Sequence, residues 1–83
     1  MLRADAVDWL EIEGEVVAIE RETSTYLAAN ASGAVVWQAL AGGTTRDELI
    51  SLLTDRYGIA HDEATVDVDR FLDELLARGL LSP

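Results

Sequence analysis

The feature that most constrains the fold is a switch in periodicity at Asn30. Before it, apolar residues recur at the spacing of two that a half-buried strand requires. After it, they recur at three and four, the spacing of a helix with one buried stripe. Residues 7 to 13, VDWLEIE, put Val7 and Trp9 on one face and Leu10 and Ile12 on the other. EVVAIE, residues 15 to 20, is rich in β-branched residues and reads as the clearest strand. Glu13-Gly14 stands between them as a two-residue hairpin turn, with glycine supplying a positive φ. RETS is a polar turn, and a third strand covers about residues 24 to 29. The N-terminal third is a three-stranded meander.

Three helical segments follow, each with its own start and stop. Asn30 is an N-cap, its side-chain oxygen placed to accept from a free amide two or three residues on. Val36, Trp37 and Leu40 form the buried face of that helix, which ends at Ala41-Gly42-Gly43. Thr45-Arg46-Asp47-Glu48 matches a capping box, and Leu49, Ile50, Leu52 and Leu53 make the second stripe. The third helix is expected to begin near Asp62, capped by Asp62 or His61, with acidic residues at the positive end of its dipole. Trp9 and Trp37 are both expected in the core. The expected bounds are strands over about 7–29 and helices over about 31–41, 46–57 and 62–78. Sheet first and helices after make a two-layer α+β fold: winged helix-turn-helix-like, a three-stranded antiparallel sheet followed by three helices. Eighty-three residues hold one such domain, 1–83.

Charge excludes several function classes. Sixteen Asp and Glu against six Lys and Arg give a formal net charge of −10. Nucleic acid, bound largely through cationic contacts to phosphate, is repelled by such a surface, and so is an anionic membrane. No stretch approaches the roughly 20 apolar residues of a membrane span, and MLRADAVDWLEI lacks a signal peptide's apolar run. The absence of cysteine removes disulfides, a thiol nucleophile and thiolate metal sites, and fits a reducing compartment. The reading is a soluble, cytoplasmic protein. His61 beside Asp62 and Glu63 reads as part of a helix start and not as a metal site. Ser24, Ser32, Ser51 and Ser82 have no evident histidine partner. No catalytic residue, metal or cofactor is expected.

What remains is binding. The third strand ends the meander and can be a sheet edge; from Ser24 to Ala29 it carries neither the charge nor the proline that usually blunts one. Ala28 and Ala29 leave room beside it, and addition of an extended peptide to such an edge is an established recognition mode. On a wheel of the last helix, Ala64, Val68, Phe71, Leu72 and Leu75 form the core face. Val66, Asp69, Asp73 and Leu76 fall on a flank and read as the second wall of a groove.

EVVAIERETSTYLAANASGAVVWQAL resembles the PqqD-like peptide chaperones, or RiPP recognition elements, through Glu20, Tyr26, Asn30, Gly33 and Val36-Trp37. Thr45 with Glu48, Phe71-Leu72 and Gly79-Leu80-Leu81 extend the resemblance over about residues 12 to 81. Glu20 stands where the family usually has Asp, and Ala29 where it usually has Leu. The resemblance implies a small winged-helix domain that binds the leader of a ribosomally made precursor peptide as an antiparallel strand. It implicates Thr25, Tyr26, Leu27 and Ala28 on the strand; Val66, Asp69, Asp73 and Leu76 are the expected helix partners. It further implies delivery to a modifying enzyme. Lasso-peptide biosynthesis, with its leader peptidase and cyclase, is favoured over delivery to a radical-SAM enzyme in a PQQ-type pathway. A winged-helix regulator would need a basic recognition helix, yet six acidic residues lie between Asp62 and Glu74 against Arg70. An oligomerisation module whose free edge pairs with itself is the other alternative; the expected state is a monomer or weak dimer.

Overall fold

The computed structural model describes Leu2, Arg3 and residues 5–82. Strands β1 (Val7–Ile12), β2 (Glu15–Glu20) and β3 (Thr25–Ala29) form one antiparallel sheet in the order β1-β2-β3. Helices α1 (Ala31–Gly42), α2 (Arg46–Tyr57) and α3 (His61–Ala77) follow. Glu13 and Gly14 have φ of 52° and 82°, the double positive φ of a type I′ turn, which matches the right-handed twist of the strands it joins. That turn sets Ile12 opposite Glu15, and the register follows to Val7 opposite Glu20.

Helices cover one face of the sheet only. Val7, Val16, Ala18, Leu27 and Ala29 are buried on that face with Val36, Trp37, Leu40, Leu49, Ile50, Leu53, Val68 and Leu75. Trp37 is fully enclosed. Trp9 meets its ring edge-on at 6.0 Å and 70° but stays partly exposed, so only one tryptophan belongs to the core, because β1 lies at the sheet margin.

The caps do local work. Asn30 Oδ1 accepts from Gly33 N at 3.2 Å. In α2, Thr45 Oγ1 accepts from Glu48 N, and Glu48 Oε1 accepts from Thr45 N, both at 3.2 Å. Helix α3 begins one residue earlier than the sequence indicates: Ala60 is its N-cap and offers no side-chain acceptor. His61 and Asp62 therefore lie inside the first turn, where Asp62 and Glu63 meet the helix dipole instead of capping it. At the far end, Leu80 is buried, Leu81 bridges Leu2, and Arg3 N donates to Leu80 O at 3.0 Å. The two chain ends thus pair with each other and not with β3.

Candidate functional site

Backbone alternation fixes which groups of β3 are free. Arg21 N donates to Ala6 O, so the odd residues of β2 bond towards β1 and Val16, Ala18 and Glu20 bond towards β3. Their partners Ala29, Leu27 and Thr25 use their amides and carbonyls inside the sheet. Tyr26 and Ala28 therefore aim theirs outward at the open edge. Among the described residues no strand covers that edge. One side chain does reach it: Arg78 Nη1 donates to Tyr26 O, while its Nη2 pairs with Glu74 at 3.0 Å.

Beside this edge lies a cleft of about 650 Å³. Leu27, Ala28 and Ala29 form one wall, Asn30, Gly33 and Val36 the floor, and Asp67, Arg70, Phe71 and Glu74 of α3 the opposite wall. The small residues have a packing cause at one position. A Cβ on Gly33 would stand 3.1 Å from Ala29 Cβ and 3.4 Å from Phe71 Cε1, so α1 leaves the strand with almost no clearance. Ala28 faces the other way and is exposed.

Of the eight residues expected at the site, Thr25, Tyr26, Leu27 and Ala28 all lie on the open strand, and Leu27 and Ala28 line the cleft. The four helix residues do not line it. At 100° per residue, Val66, Asp69, Asp73 and Leu76 centre about 130° from Asp67, Arg70, Phe71 and Glu74, on the other flank of α3. Asp69 is instead held by Arg46, with Nε and Nη2 donating to its two oxygens at 2.6 and 2.8 Å. That pairing pushes the Asp69 carboxyl below its ordinary range and raises Arg46. Val66 and Leu76 are exposed. Their place away from the cleft has a plain cause: both flanks of the helix carry carboxylates, and only tertiary packing decides which one turns towards β3. Asp67, Arg70 and Glu74 recur at three and four, a pattern that reads equally well as a solvated face.

The turn before β3 is built on Glu20, only 2% exposed. Its Oε2 accepts from Thr23 Oγ1 at 2.6 Å and Thr23 N at 2.9 Å, and its Oε1 from Glu22 N at 3.0 Å. These bonds, the Thr23 hydroxyl first, lower the Glu20 pKa. The Glu20 side chain thus reaches across the turn and fixes where β3 starts. Among the described residues no cluster of His, Asp and Glu fits a metal, and no helix is long and apolar enough to cross a membrane.

A winged helix-turn-helix-like α+β domain, with the β3 edge of its sheet open beside a helix-walled cleft, is the class that fold and site define. The chain belongs to the PqqD family, whose profile, described as coenzyme PQQ synthesis protein D, matches residues 15–81. Among solved structures it is similar to TbiB1 in complex with the TbiA(beta) leader peptide, at 29% identity and a TM-score of 0.93, over 99% of this chain and 95% of that one. It also shares its fold with a lasso peptide synthetase B1 complexed with the leader peptide, at 20% identity and a TM-score of 0.87, over 100% and 96% of the two chains. No curated protein matches it.

Proposed function

We propose that this chain binds the leader of a ribosomally made precursor peptide, without altering it, as a fourth strand antiparallel to β3. The observation that carries this reading is the outward pair of groups at Tyr26 and Ala28 beside the 650 Å³ cleft. A leader strand there gains ladder hydrogen bonds and sends alternate side chains into the cleft, the chemistry of strand addition. Phe71, Val36 and Leu27 offer an apolar seat, and Asp67, Arg70 and Glu74 offer both signs of charge at its rim. The similarity to TbiB1, itself in complex with a leader peptide, supports the same occupant.

In this reading the protein is a non-catalytic cytoplasmic carrier that hands the precursor to a lasso leader peptidase and cyclase. Delivery to a radical-SAM enzyme in a PQQ-type pathway is the second reading, in keeping with a family profile described as coenzyme PQQ synthesis protein D. Fluorescence-anisotropy titration with labelled leaders from each setting tests the proposal and separates the two. Saturable binding in the high nanomolar to micromolar range is expected, about −7 to −9 kcal/mol; no binding to either leader sinks it. Asp69→Asn with Asp73→Asn, on the flank away from the cleft, is expected to leave that affinity within about twofold.

A further inference from the structure

The helices leave the second face of the sheet bare. Alternation sends Leu10 and Ile12 of β1, Val17 and Ile19 of β2, and Tyr26 and Ala28 of β3 to that face. Leu10 is 60% exposed, Tyr26 53%, Ile12 52% and Ile19 38%. They are neighbours in register: Ile19 lies opposite Tyr26, and Val17 lies between Leu10 and Ala28. A depression of about 490 Å³ opens between Ile12, Val17, Tyr26 and Ala28, with Glu13 and Glu15 on its rim. Contiguous exposed apolar surface edged by polar groups marks an interaction site on a protein of this kind.

We propose that this bare face is where the enzyme acting on the bound precursor docks, through an apolar patch edged by Lys or Arg. The inference rests on leader binding at β3. Two observations select this occupant. Glu13 and Glu15 have no cationic partner among the described residues, whereas Asp8 at the other end is already paired with Arg21 at 3.1 Å. A basic rim on the visitor satisfies the unpaired end. A second copy brings another chain of net charge −10 against it, which charge disfavours. The face is also continuous with the leader site: a fourth strand on β3 widens it, and the leader's outward side chains become part of one surface with Tyr26 and Ala28. An enzyme reading that surface distinguishes the loaded carrier from the empty one.

The test uses the full chain, its synthetic leader and purified leader peptidase immobilised on a biosensor. Leu10→Thr with Ile12→Thr keeps strand propensity and lies on the face opposite the helices. The leader–variant complex is expected to bind the peptidase about tenfold or more weakly than the wild-type complex, as loss of central apolar anchors does. Leader anisotropy, measured without peptidase, should not move. Glu13→Lys with Glu15→Lys is expected to weaken docking as well. Equal peptidase binding by wild type and both variants overturns the proposal, as does wild-type complex that the peptidase does not retain. A concentration-dependent dimer that Leu10→Thr with Ile12→Thr dissolves overturns it too, giving the face to a second copy. Absence of leader binding in the peptidase-free arm is a failure of the leader reading and is seen separately.

Discussion

Replacing Ala28 by proline isolates the open edge from the rest of the fold. The Ala28 amide points away from β2, so proline removes no ladder bond, and edge positions of this kind are where sheets accept it. The residue before it, Leu27, already has the extended backbone that proline requires. Any adjustment of φ is offset in part by the lower entropy of the unfolded chain, about 0.4–1 kcal/mol. The melting temperature is therefore expected to stay within about 4–8 °C of wild type, the shift that 1 kcal/mol gives in a domain of this size. Leader binding loses more. One strand-addition hydrogen bond is worth about 1 kcal/mol, and the leader carbonyl left facing a pyrrolidine ring costs about 1 kcal/mol more. A total near 2 kcal/mol predicts about thirtyfold weaker binding. Anisotropy titration reads the affinity, and circular dichroism with thermal melting reads the fold. A folded Ala28→Pro protein that binds leader within about twofold of wild type refutes strand addition at β3. Leu27 is the wrong position for the same substitution, because its amide lies inside the β2–β3 ladder and its side chain in the core.

Gly33→Ala is expected to lower the melting temperature. The helix-propensity gain of up to about 1 kcal/mol is outweighed by a methyl 3.1 Å from Ala29 Cβ, which cannot retreat without moving β3; a higher melting temperature contradicts this. Arg78→Ala frees the Tyr26 carbonyl for a leader amide and is expected to tighten binding about two- to fivefold, given the modest net worth of one exposed hydrogen bond; tenfold weakening by titration calorimetry would instead make Arg78 a leader contact. Glu20→Gln is expected to lower stability at pH 7 and to flatten its loss in acid. The sign follows from the lowered pKa: the carboxylate stabilises the fold above its ordinary value of 4.5, and that contribution disappears as pH falls through the lower folded value. Thermal melts between pH 7 and 3 check it, with Asp69 leaving a residual slope of the same sign.

Where local chemistry decides the outcome, the sequence was legible. Glu13-Gly14 has few conformations open to it other than a tight hairpin turn, and Asn30 and Thr45 each satisfy amides that the next helix leaves free. The place of β3 at the sheet edge followed from the same kind of reading, since an end strand without charge or proline is visible in one dimension. The flank of α3 that walls the cleft did not. Asp67, Asp69, Asp73 and Glu74 are chemically alike, and which of them turns towards β3 depends on the rotation of α3 about its axis. Leu75, Val68 and Ala64 set that rotation by burial, but burial leaves two flanks, and only the packed position of β3 tells them apart. The bare sheet face was legible as a pattern, through the second apolar set in VDWLEIE, yet its exposure became evident only once all three helices were seen on the other side.

The bridge from Leu2 to Leu81 has a consequence for how such a domain travels. Because the polypeptide enters and leaves at one corner, a host protein that accommodates it in a surface loop has almost no gap to span, and the entropic cost of closing that loop stays small. The same architecture therefore suits a free-standing domain and one inserted in a larger protein, with no change in the strands or helices themselves.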